Sequence, residues 1–159
     1  MFSRVLRYLR LPLVLLLIWA VMRFLMQPVF HADYAPRGNA VFSVLVLMFI
    51  SSIYFGAMSN RVGGFNWLGT VLCGATLGLW AQILIFTATL VSFAAGIGTY
   101  FLHWDALNLK PEQAANVTMA QLLAIRGGGL LFGIIGGILA ALVGRAVFSA
   151  LAPRCGDER

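Results

Sequence analysis

The stretch RGGGLLFGIIGGILAALVGR, residues 126–145, decides what kind of fold this chain has. Seven of its twenty residues are glycine, and nothing between the two terminal arginines is polar. In water glycine is the poorest helix former after proline. In lipid no water competes for backbone N–H and C=O groups, so a helix forms whatever its side chains. The missing Cβ then becomes an asset, because it lets another helix come within backbone contact. A glycine-rich apolar segment of helix length therefore indicates a tightly packed membrane helix.

Composition supports that reading. The chain has 159 residues, of which 61% are hydrophobic and 10% charged, with a mean hydropathy of +0.92. Soluble domains carry about 25% charged residues, so too few charges are present to cover a water-facing surface. The expected fold class is an all-α integral membrane protein, a single membrane domain over residues 1–159. The net charge of +6 does not indicate nucleic acid. The arginines stand singly at the ends of apolar runs, where topology and snorkelling require them. The expected partners are the lipid bilayer and its anionic headgroups. The two cysteines, Cys73 in an apolar run and Cys155 in the tail, have no metal or disulfide spacing.

Four spans are expected, at about residues 9–30, 40–59, 67–90 and 122–147. Pro36, Arg37, Gly38 and Asn39 supply turn chemistry between the first two. The stretch from Trp67 to Trp104 is charge-free until His103 and too long for one span. Its one break is at Gly96 and Gly98, with Tyr100, Phe101 and Trp104 following as interfacial aromatics. The third helix is thus expected to be followed by an interfacial segment on the outer face, within an outer loop of about 91–121. Thr118 and Gln121 form a capping-box pattern for the last helix, and residues 148–159 form a cytoplasmic tail. With both termini inside, seven basic residues (Arg4, Arg7, Arg10, Arg61, Arg145, Arg154, Arg159) face the cytoplasm and four (Arg23, Arg37, Lys110, Arg126) lie outward. The positive-inside rule favours this arrangement over five spans. The compact chain suggests a bacterial inner membrane.

Small residues recur every four positions at Gly129, Gly133, Gly137 and Ala141, forming one ridge. Thr70, Gly74 and Gly78 form a second ridge, continued by Gln82. Two such ridges on consecutive antiparallel helices are expected to face each other. A second copy or another protein is the alternative partner.

Arg23 and Gln82 are the polar residues expected within the bilayer, at similar depth. Arg23 is expected to snorkel outward, or else to pair with Gln82 or an outer carboxylate. His31 with Asp33, and His103 with Asp105, repeat an H-x-D pattern at the outer ends of the first and third spans. They are expected to gather into an outer polar patch, with a divalent metal site as the sharper alternative. Haem is disfavoured, since neither histidine lies in a span core.

No nucleophile–base pair, phosphate loop or paired carboxylates can be read, and no cofactor is implied. The four-span size is similar to that of small multidrug transporters and glutathione-linked membrane enzymes. The former need a carboxylate in an early span and the latter a polar Arg/Asn/Glu set on the second, and both patterns are missing. The expected function is non-catalytic: a polytopic protein acting by helix packing, as an accessory or assembly subunit of a larger membrane complex, or as a homo-oligomer. The alternative is a small transporter or channel whose path uses Arg23, Gln82, Ser51 and Ser52. A membrane enzyme or metal site at the outer face comes third.

Overall fold

The computed structural model describes residues 1–34 and 43–151. The turn residues Pro36, Arg37, Gly38 and Asn39, the expected start of the second span, and Arg154, Cys155 and Arg159 lie outside them. The described chain is all-helical, without strands. Six α-helices follow in order: α1 Phe2–Tyr8, α2 Arg10–Leu25, α3 Val44–Met58, α4 Trp67–Ala95, the single turn α5 Pro111–Ala114, and α6 Met119–Val143. A 3-10 turn covers Asp105–Leu107, and α6 runs on into a π-helical turn, Gly144–Phe148.

The helix boundaries depart from the expected spans for local reasons. The first segment is two helices bent by 63°. Pro12 has no N–H to donate to the Tyr8 carbonyl, and its ring excludes that carbonyl from the helical position. The chain breaks at Leu9 accordingly. Helix α2 stops at Leu25 rather than near residue 30, because Pro28 does the same to Phe24. Helix α3 begins after Ser43, whose hydroxyl accepts from the Val46 amide. Helix α4 runs five residues beyond the expected 90 and ends where Gly96 takes a left-handed φ of +63°. Helix α6 starts at 119, three residues early, under the Thr118/Gln121 capping box.

These boundaries change the span count. Among the described residues two helices are long and apolar enough to cross a membrane, Trp67–Ala95 and Met119–Phe148, or three if the bent α1–α2 pair is one span. That is fewer than the four expected. Helix α3 has 15 residues, about 22 Å at 1.5 Å per residue. A bilayer core is about 30 Å thick.

The four longer helices run up, down, up and down. At one end, helix α1 lies against the α3–α4 turn. Tyr8 donates to the Phe55 carbonyl at 2.9 Å and Arg4 to the Gly63 carbonyl at 2.9 Å. Val5 and Leu9 are fully buried there. At the other end, the segment after Gly96 folds back over the bundle, and Tyr100 and Phe101 are buried. The centre is the α4–α6 pair, flanked by α3 on α6 and by α2 on α4.

Candidate functional site

The α4–α6 contact is built from the two small-residue ridges in antiparallel register. A Cβ on Gly74 would strike the Gly137 carbonyl, and one on Gly78 would strike that of Gly133. From the other side, a Cβ on Gly137 would strike the Gly74 carbonyl. One step along, the Gln82 side chain lies across Gly133 and Gly129. Gln82, only 4% exposed, is thus the polar end of the seam. Ala141 meets a different neighbour: a Cβ on Gly56 of α3 would strike its backbone. Likewise, a Cβ on Gly144 would strike the Ile53 carbonyl. Helix α6 therefore has close backbone approaches on two sides. Gly56 was not among the expected packing residues, and an isolated glycine without a repeat offers little to recognise it by.

Each end of the α4–α6 pair is held by an arginine, Arg145 buried and Arg126 half-buried, whose place in the sequence marks only topology. Arg145 is 9% exposed. It donates to Thr70 Oγ1 at 2.7 Å and to the Phe65 carbonyl at 3.1 Å, and lies 4.3 Å over the Trp67 ring. Thr70 also shares a 2.7 Å hydroxyl contact with Ser59. Its role is therefore a buried polar junction as well as a ridge position. At the opposite end, Arg126 donates to Thr89 Oγ1 at 2.9 Å, to the Phe101 carbonyl at 2.8 Å and to the Ala106 carbonyl at 3.4 Å. These bonds fasten the folded-back segment to the helix pair. The signal in the sequence was positional: Arg126 and Arg145 lie 19 residues apart, bracketing the apolar run.

Arg23 does not snorkel out to solvent. It is 6% exposed, with its guanidinium 5.2 Å over the Phe101 ring and 5.9 Å over that of Tyr100. The bend at Gly96 explains this, because it returns two aromatic rings to the height where α2 ends. Arg23 lines one cavity with Arg126, and Gln82 lines an adjacent one, also with Arg126. Ser51 and Ser52 are buried on α3, the Ser52 hydroxyl lying 3.7 Å from the Met48 sulfur. They line neither of these two cavities.

The two H-x-D segments meet, but through tyrosines. Tyr34 stacks on His103 at 3.5 Å and donates to the Asp105 carboxylate. Tyr100 donates to the Asp33 carbonyl at 2.7 Å. Asp33 thus contributes its backbone to the clasp, and His31 is exposed with φ +50°. Among the described residues no three His, Cys, Asp or Glu side chains gather as a metal site. The metal alternative therefore has no ligand set in this clasp. Burial holds the His103 imidazole below its usual pKa, with Asp105 acting in the opposite direction.

No protein-family model, curated protein or solved structure matches the chain.

Proposed function

We propose that the chain is a small non-catalytic protein of a bacterial inner membrane that acts through helix packing, as an accessory or assembly subunit or as a homo-oligomer. In this reading four helical segments cross the bilayer, both termini are cytoplasmic, and the fold-back after α4 lies at the outer face. Helix α3 is accommodated by local thinning of the bilayer around a short segment.

The observation that carries the reading is the use of the glycine ridges. They are spent inside the chain, Gly74 and Gly78 against Gly137 and Gly133, and so build a close-packed unit. Two large apolar faces are left on the outside: Leu131, Phe132, Ile135 and Leu139 on α6, and Leu11, Val14, Leu15 and Ile18 on α2. Lipid covers such faces, and a partner helix can do so equally well. A second copy or a partner would dock on one of these faces rather than on the glycine ridge.

The test is cysteine cross-linking from Leu139 and from Leu15 in native membranes, with Cys73 and Cys155 replaced, together with native mass spectrometry. A defined species larger than the 17.3 kDa chain, cross-linked from one of these faces, is expected. A uniform monomer without cross-links at either position would overturn the reading.

A further inference from the structure

At the end of the bundle where α2 finishes and α6 begins, a cavity of about 130 Å³ opens between the helices. Arg23 and Arg126 both line it, with Ser43, Leu45, Ile85 and Phe101 forming the walls. At roughly 30 Å³ per water, it has room for about four waters or a small tetrahedral ion. The two arginines hold Phe101 between them. Arg23 lies over its ring and Arg126 donates to its carbonyl.

Among the described residues, the charged groups that line this cavity are both cations. Arg126 spends three of a guanidinium's five N–H donors on a hydroxyl and two carbonyls, all neutral acceptors. Asp33, Asp105 and Glu112 are the carboxylates among the described residues, and none lines the cavity. Two like charges sharing a space of low dielectric repel strongly, and an anion placed between them turns that repulsion into attraction. The first turn of α3 adds to the field. Ser43, Val44 and Leu45 are its cap and first two residues, and all three line the cavity. Backbone N–H groups at a helix start have no partner within the helix, and the dipole there favours negative charge. Beside the cavity, sharing Arg126, lies a groove of about 350 Å³ with an apolar wall of Ile85, Ile125 and Phe132 and with Gln82 and Asn108 as its other polar residues. It offers a place for an acyl chain.

We propose that the Arg23–Arg126 cavity binds a phosphate-type oxyanion, carried by an anionic phospholipid headgroup or present as free phosphate. Guanidinium suits phosphate oxygens by its planar fork of donors. The site operates with or without a protein partner, so it stands or falls separately from the packing role.

The test is thermal unfolding of the delipidated full chain in a zwitterionic detergent. It is run with phosphatidylglycerol, with phosphatidylcholine, with inorganic phosphate, and with chloride at matched ionic strength. Phosphatidylglycerol, phosphate or both should raise Tm by about 5 °C or more at a hundredfold excess over Kd. Phosphatidylcholine and chloride should not. A response to the lipid alone assigns the headgroup as the source, and a response to both shows that the phosphate group suffices. Arg23→Gln and Arg126→Gln should each remove more than half of the shift, whereas Arg61→Gln should leave it intact. Arg126→Lys keeps the charge if loss of the guanidinium prevents folding, and should retain a reduced shift. No stabilisation of the wild-type chain by either anion would overturn the proposal. A shift that survives both glutamine variants would do the same.

Discussion

Replacing Gly78 with alanine adds one methyl group at the closest point of the α4–α6 contact. Its Cβ would stand 2.6 Å from the Gly133 carbonyl carbon and 3.1 Å from Ile134 Cα, where ordinary contact begins at 3.4 Å. Both atoms are backbone and cannot rotate away, and the Gly133 carbonyl oxygen lies closer still, so the helices must separate by about 1 Å. A gap of that size forfeits roughly a quarter to a half of each dispersion contact along the seam. With ~20 atom pairs at ~0.15 kcal/mol each, the loss is about 1 kcal/mol, and residual overpacking strain brings the total to about 1–3 kcal/mol. In a chain of this length that lowers Tm by about 3–10 °C. Gly74→Ala and Gly137→Ala should behave alike, since their added methyls also meet carbonyls. Gly133→Ala should also be costly, because its methyl meets Cγ of the buried Gln82 side chain, which has little room to move aside. Gly127→Ala and Gly128→Ala are the controls: nothing lies within 4 Å of their added Cβ, and the change should stay within about 0.5 kcal/mol. The assay is reversible unfolding in detergent, with oligomer size followed in parallel. Equal losses at Gly78 and Gly128, or none at Gly78, would refute the packing argument.

Three further outcomes are expected. Arg145→Met should cost about 1.5–3 kcal/mol, since it removes the charged bonds to Thr70 and Phe65 and leaves a buried carbonyl without its donor; Ser59→Ala, which leaves Arg145 bonded to Thr70, should cost less in the same unfolding assay. The His103 imidazole, its pKa lowered by burial, favours folding in its neutral form. Its contribution is therefore fully present above about pH 6.5 and lost as pH falls through the lower folded value. NMR titration should place the His103 midpoint below 6.5, and a midpoint above that value would contradict this. For topology, cysteines at Arg61 and Lys110 should label from opposite sides of the membrane, with Lys110 reached from outside; labelling of both from one side would exclude the four-crossing arrangement.

Much of the helical content was legible in the sequence because lipid-compatible segments announce themselves by apolar length, and caps by short local patterns. The Thr118/Gln121 box, the break at Gly96 and the four-residue glycine spacing are all local signals of this kind. The span count was less legible. Proline at 12 and 28 breaks the first segment, which is continuous in hydropathy, into a bent pair that ends early, and apolar length alone does not show such breaks.

What the sequence by itself determined is the class of the fold: a run such as 126–145 makes an apolar helix compatible with a membrane protein, close-packed through its glycines. Which residues meet was decided only in three dimensions. The register that sets Gly74 on Gly137, and the choice of Gly56 as the neighbour of Ala141, depend on helix rotation and offset, which a period of four leaves open. The same holds for the arginines. Arg23 reads as a residue reaching for the interface until the chain turns back at Gly96 and lays Phe101 across it. Arg126 reads as a flanking charge until that same turn supplies two carbonyls for it to bind. A long flexible cation takes its role from whatever the fold brings within its reach, and that is a property of tertiary structure.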